Sequence, residues 1–343
     1  MSKSNISIKE LASLLGLSIT TVSRVLNNKA KEYRIKEETE KKVRDAAERY
    51  HYAPNQFARG LKLDKSETIG VIAPDISNPF FADIIKQIEK VCRNRGYLIL
   101  IGDSNEDHSV ELQMVERFEN RKVDGLIVAP VGLEFSHLQK IYKRGIPLVL
   151  VDRIAPGIDL PSVSSDNYMG AYNAIELLIK NGHQNIACVQ GLTDSQTNND
   201  RVRGYTEAMR KYGLSNEIRV LGSSFTIENG YINSKQLLTQ KYNKPTAILA
   251  MNNRISFGVL QAASELKVSI PENLSLISFD EQIYSAYLNP PMTTIEQNKT
   301  EIAKLAVDSL FEQFDSNGKE NMKISKIIPT RINIRDSIKK INY

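Results

Sequence analysis

The sequence predicts an all-α helix-turn-helix head joined to an α/β core of two doubly wound parallel-sheet subdomains. Three observations carry this expectation. Residues 6–27 read as two short amphipathic helices broken at Gly16. An excess of positive charge is confined to the same end of the chain. From Thr68 onward, continuous Val/Ile/Leu runs alternate with helical patterns, as buried parallel strands and their crossover helices do.

In the head, Ser7 is the expected N-cap of a helix over about 8–15, with Ile8, Leu11, Ala12 and Leu15 at helical spacing. Gly16 enters left-handed backbone space without steric cost. Leu17 plugs the turn, Ser18 caps again, and a second helix runs over 19–27 with Val22, Val25 and Leu26 facing inward. Ile19, Thr20, Thr21, Ser23, Arg24 and Asn27 remain on or near its outer face. Small hydroxylated side chains with an Arg one turn further suit contact with base edges and phosphates. A third helix over 36–51, with Val43, Ala46, Ala47 and Tyr50 inward, completes a three-helix bundle. Pro54 interrupts the pattern, and residues 55–63 read as a short helical hinge too brief to persist alone.

Charge supports this division. Residues 1–63 hold 13 Lys and Arg against 7 Asp and Glu, a net of +6, whereas the whole chain is only +5. A basic head on a near-neutral body is the footprint of a polyanion binder. Length implies two or three domains, and 41% hydrophobic with 25% charged residues excludes a disordered chain. No apolar run is long enough to span a bilayer, and the amino terminus has no apolar signal core, so a cytoplasmic location is expected. Cys92 and Cys188 read as isolated buried hydrophobes.

In the core, strands are expected over 68–73, 98–101, 125–129, 147–151, 162–165, 186–189, 247–250 and 275–278. Helical patterns lie over 79–95, 109–121, 135–144, 168–181, 200–212, 228–240, 254–266 and 299–314. A ligand is expected in the crevice at the carboxyl ends of the strands. Polar and aromatic residues cluster there, in residues 74–81, Asp152-Arg153, Asp166-Asn167, 191–197 leading to Arg201, Met251-Asn252-Asn253 and Phe279-Asp280. Asp, Asn and Arg suit vicinal hydroxyls, and Phe80, Phe81 and Phe225 offer flat apolar faces, so the cleft suits a sugar or another small polar ring. Phosphate-loop, dinucleotide, metalloprotease and nucleophile-elbow motifs are absent. The four histidines, His51, His108, His137 and His183, lie without metal-ligand spacing, so no metal, cofactor or catalytic residue is expected.

The chain resembles the LacI/GalR family of bacterial transcription regulators over nearly its whole length. The matching segments are LSITTVSRVLN at 17–27, YAPN at 52–55 followed by Ala58 and Leu61, IGVI at 69–72 and PDISNPFF at 74–81. VDGLI at 123–127, RVRGY at 201–205 and PPMTTI at 290–295 complete them. The resemblance implies a head over 1–53 and a hinge helix and linker over 54–65. It implies a periplasmic-binding-protein-like effector and dimerisation core over 66–343. Within that core it implies an N-subdomain of about 66–164 and 293–325 and a C-subdomain of about 165–292 and 326–343.

Carried over by position, Ser18, Ile19, Thr20, Thr21, Ser23, Arg24, Asn27 and Thr39 fall at major-groove and phosphate contacts, with Ser7 beside them at the first helix start. Asn55, Ala58 and Leu61 match the minor-groove hinge, Leu61 at the base-pair wedge. Phe80, Phe81, Asp152, Arg201, Phe225, Asn252 and Asp280 match effector contacts, with Ser195 and Thr197 as further candidates. Residues 28–35 run longer than the family's usual connection, and Ser195 stands where purine-binding members carry a basic residue, which argues against a purine. The implied protein is a repressor of a roughly palindromic operator, homodimeric for want of a leucine-heptad tail, that answers to a sugar or sugar phosphate. An activator or co-repressor-dependent regulator shares the architecture. So does a transporter's solute receptor, against which the basic head counts.

Overall fold

A computed structural model of the chain describes residues 6–52, 65–315 and 325–341. Asn55, Ala58 and Leu61, and with them the expected hinge helix, lie outside the described residues. The chain divides into two units, Met1–Ser66 and Glu67–Tyr343.

The first unit contains α1 (Ile8–Leu15), α2 (Ile19–Leu26) and α3 (Glu37–Arg49). Ser7 and Glu10 close a reciprocal capping box, and Gly16 ends α1 at φ 65°. Leu11, Val22, Val25 and Val43 are fully buried and form the bundle core with Ala12, Ala30, Ala46 and Ala47. Tyr50 departs from expectation: α3 stops at Arg49, and Tyr50 is 42% exposed. Tyr52 packs on the bundle in its place.

The second unit holds two six-stranded sheets. Its strands are β1 (Thr68–Ala73), β2 (Leu98–Asp103), β3 (Gly125–Val128), β4 (Leu148–Val151), β5 (Ser162–Ser165) and β6 (Ile186–Val189). They continue with β7 (Arg219–Leu221), β8 (Ala247–Ala250), β9 (Ser275–Phe279), β10 (Thr293–Glu296), β11 (Ser325–Ile328) and β12 (Arg331–Asn333). Between them run α4 (Pro79–Asn94), α5 (His108–Asn120), α6 (Ser136–Lys143), α7 (Asn167–Lys180) and α8 (Gln196–Lys211). The last helices are α9 (Ile227–Leu238), α10 (Asn253–Glu265) and α11 (Lys299–Asp315).

The first sheet runs β11-β5-β4-β3-β1-β2 and is parallel throughout. The second runs β12-β10-β9-β8-β6-β7, parallel except for the antiparallel β10–β12 pair. Period-two alternation gives the first sheet two buried faces. Ile69, Val71, Ile127 and Val149 pack with α4 and α11, while Ile72, Leu126, Val128 and Leu148 pack with α5 and α6.

The sheet pairing corrects two expected subdomain boundaries. Residues 293–296 were expected with the first lobe, but β10 pairs with β9 in the second sheet. Residues 326–328 were expected with the second lobe, but β11 pairs with β5 in the first. The chain therefore passes between lobes three times, after β5, after β10 and between β11 and β12.

Candidate functional site

On the head, the exposed end of α2 is set by its cap. The Ser18 hydroxyl accepts from Thr21 N–H at 3.0 Å and bonds the Thr21 hydroxyl at 2.8 Å. Ser18, Ile19, Thr20 and Asn27 are exposed, with Thr21, Ser23, Arg24 and Thr39 half-buried. The Ser7 hydroxyl is engaged with Glu10, and Asn27 donates to the Ser23 carbonyl at 2.8 Å. The extended connection after α2 folds back, so that Tyr33 lies under the Arg24 guanidinium at 3.7 Å. This cation–π contact holds an otherwise mobile long side chain at the edge of the exposed face.

In the second unit, a cleft is lined by Asn78, Phe80, Phe81, Glu106, Asp152 and Arg153 from the first lobe. Thr197, Arg201, Phe225, Asn252 and Asp280 line it from the second. Each position follows from local structure. Asn78 caps α4 by accepting from Phe80 N–H, and Pro79 starts the helix. Phe80 and Phe81 then enter the cleft edge-to-face, with centroids 5.2 Å apart. Asp152 and Asp280 follow β4 and β9 in the left-handed region, at φ 62° and 72°. Strain of this kind in non-glycine residues persists where surrounding structure demands a side-chain direction, which here is into the cleft. Gly191 leaves room for Phe225, whose ring carbons would lie 2.1 Å from a Cβ there. Helix α8 begins one turn earlier than expected, so Thr197 and Arg201 share a helical face.

Charges are buried and braced. Arg201 donates to Asn167 at 2.8 Å and to the Met251 carbonyl at 2.5 Å, stacks on Phe279 at 3.8 Å and lies 4.0 Å from Asp280. Gln297 donates to Asp280 at 2.7 Å. Arg153 makes a forked pair with Glu106 at 2.6 and 2.7 Å. Asp152 Oδ1 and Gln297 Oε1 are buried without a protein partner. Burial pushes the Asp152 carboxyl up to about 6, against the pull of Arg201 and Arg153. The arrangement offers acceptors, two guanidinium groups and three aromatic faces, which together suit the hydroxyls and the apolar face of a small ring.

Eight of the nine expected cleft residues converge. Ser195 is buried but does not line the cleft, and its hydroxyl makes no hydrogen bond. Glu106, and Gln297 behind Asp280, escaped the sequence reading, whereas Asn78 and Arg153 lay within the polar clusters at 74–81 and 152–153 without being singled out as contacts. The histidine expectation also needs correction. His108 and His137 lie with rings 4.9 Å apart, and His137 Nε2 is 2.8 Å from Glu111 Oε1. His108, Glu111 and His137 each bring a ligand atom within 4.8 Å of the others.

A three-helix head of helix-turn-helix form, carried by a two-lobed open-sheet body with a polar cleft, defines a DNA-binding regulator of the binding-protein-core class. Residues 7–55 match the family described as bacterial regulatory proteins, lacI family. Residues 66–335 match the periplasmic binding proteins and sugar binding domain of LacI family. The chain belongs to the LacI family and is a DNA-binding transcriptional regulator.

It is 32% identical over 338 residues to catabolite control protein A of Priestia megaterium, covering 98% of this chain and all of that one. It is 31% identical to the transcriptional repressor CytR of Escherichia coli K12, covering 97% and 96%. A LacI-family regulator from Enterococcus faecium with bound ribose superposes with TM-score 0.72 at 27% identity, covering 80% of this chain and all of that one. The lac repressor dimer bound to operator superposes with TM-score 0.86 at 21% identity over 97% and 99% of the two chains, a likeness of fold. Among the described residues, no helix is long and apolar enough to cross a membrane.

Proposed function

We propose that the protein is a cytoplasmic, homodimeric repressor released from a roughly palindromic operator by a neutral monosaccharide of the pentose class. Ser18, Ile19, Thr20, Thr21, Ser23, Arg24, Asn27 and Thr39 contact the operator, with Ser7 at their border. Asn55, Ala58 and Leu61 form the minor-groove hinge. The effector lies among Phe80, Phe81, Asp152, Thr197, Arg201, Phe225, Asn252 and Asp280, and the cleft performs no chemistry.

The observation that carries this reading is the partnerless buried acceptor Asp152 Oδ1, in a cleft lined also by Phe80, Phe81 and Phe225. Buried acceptors left unpaired cost free energy that a ligand's hydroxyls recover. Asp152 adds a negative charge to a cleft whose two arginines are already paired with Glu106 and Asp280, so a neutral sugar is favoured over a sugar phosphate. The relative with bound ribose supports a pentose.

The test begins by selecting genomic fragments bound by the full chain, then measures operator affinity by fluorescence anisotropy with and without ribose and a panel of other sugars. Release by a pentose is expected. Tighter binding in its presence would assign co-repression, and no change with any sugar would overturn the effector reading.

A further inference from the structure

We propose that His108, Glu111 and His137 form a binding site for one divalent transition cation of borderline softness, with Zn²⁺ the fitting chemistry, behind the ligand cleft. Glu111 is fully buried and accepts from Val131 N–H at 2.8 Å. His137 is 9% exposed and meets the same carboxylate from α6. His108 opens α5 three residues before Glu111, so the two share one helical face. The Nδ1 atoms of both imidazoles are buried and have no hydrogen-bond partner.

A carboxylate braced by one histidine explains half of this arrangement. It leaves the second imidazole, and both Nδ1 atoms, without a role in a place where orphaned polar atoms are costly. Two imidazoles and one carboxylate are a three-ligand set for zinc that keeps a fourth position for water. Ligand atoms 2.0–2.2 Å from the ion lie roughly 3.3–3.6 Å apart. The 4.8 Å limit observed here closes to that spacing by rotation of the half-buried His108 ring. Nitrogen donors select against Ca²⁺ and Mg²⁺.

The site's surroundings give a bound cation a consequence. Glu106, two residues before His108, holds Arg153 at the cleft, and the Pro130 carbonyl beside Val131 accepts from the same guanidinium. A cation would therefore tie together the two loops that position Arg153.

The experiment titrates the chelator-stripped full chain with Co²⁺, read by its ligand-field absorption, and with Zn²⁺ in competition with a chromophoric chelator. One ion per chain is expected. His108→Gln and His137→Gln are each expected to weaken binding at least roughly 100-fold, beyond the range seen when only a residue supporting a ligand is lost. His51→Gln serves as the control on the exposed head histidine. His183 needs none, because both its nitrogens are engaged, with Thr246 and the Lys339 carbonyl.

If His137→Gln fails to fold, His108→Gln decides, since that half-buried ring starts a helix and can be replaced with little loss of packing. Zn²⁺ is expected to raise the melting temperature of the parent and not of His108→Gln. Binding that is absent, or equal in parent and His108→Gln, overturns the proposal and leaves a hydrogen-bonded brace.

Discussion

Asp152 shows how one side chain can make effector binding depend on pH. Its carboxyl is raised from 3.8 to about 6, chiefly by burial. In the unliganded protein, folding favours the protonated form. That stabilisation is fully present below 3.8 and lost as pH rises through about 6. A hydroxyl donated to the ionised carboxylate pulls the other way, so a bound sugar lowers the value and binding expels a proton. Affinity is therefore expected to weaken as pH falls through about 6, toward a limit near tenfold per pH unit. Calorimetric titration with ribose across about pH 5–8 checks this, with Asp152→Asn giving a flat profile. A parent profile as flat as the variant's would contradict it.

Residue type and position made Asp152 legible in the sequence, since an acid directly after a buried strand has few other uses. Glu106 and Gln297 were not legible. Their roles arise from partners 47 and 17 residues away, and no local pattern encodes such pairings. His108 and His137 escaped for the same reason, being 29 positions apart and joined only by the packing of α5 and α6. On the head, Arg24→Ala is expected to cost about 1–3 kcal/mol of specific operator binding. Anisotropy on the selected operator checks this, and parental affinity would remove Arg24 from the contact set.

At the scale of elements, apolar buried strands and caps announced themselves, while a short half-buried strand and a short polar one did not. β7 is three half-buried residues, and β10 reads Thr-Thr-Ile-Glu, too polar to signal a sheet interior. Both are recruited by neighbours in an existing sheet, which supplies the hydrogen bonds their own composition does not demand. The early start of α8 had a related cause. Its first turn, Gln-Thr-Asn-Asn, is poor in helix formers and is held by tertiary contact.

Further along α8, its packing on α7 depends on Gly204, where a Cβ would meet the Tyr168 carbonyl oxygen at 2.2 Å and Tyr172 N at 3.0 Å. Both obstacles are backbone atoms of α7, which cannot swing aside as a side-chain tip can. Gly204→Ala gains roughly 0.5–1 kcal/mol in helix propensity. Forcing two packed helices apart costs about 1–3 kcal/mol. Net destabilisation is expected, visible as a fall in the denaturant midpoint at unchanged slope. A midpoint equal to or above the parent's would show that α7 and α8 separate freely.

At the scale of the whole molecule, the three crossings leave the two lobes hinged, and contacts at the cleft mouth tie them. Arg254 of the second lobe pairs with Asp75 at 2.5 Å and donates to Ser77 at 2.6 Å, and Asn253 donates to Asn78 at 3.2 Å. Arg254 and Asp75 are partly exposed, so their ion pair is weak, and a few such ties let the lobes part to admit a ligand. A sugar touching Asp152 from one lobe and Arg201 from the other favours whichever lobe arrangement presents both. It can shift the equilibrium only by its differential affinity, about 5.5 kcal/mol for a complete reversal from 99:1 to 1:99.

The residues needed for such capture all lie within 67–343, which has its own buried cores, whereas the head is a separate unit with its own. A fragment beginning at Glu67 is therefore expected to retain the sugar-induced rise in melting temperature, worth about 2.7 kcal/mol at 100 times Kd. The same fragment is expected to lose operator binding entirely. If it bound the selected operator as tightly as the full chain, recognition would reside in the α/β body, and the basic three-helix head would need another purpose.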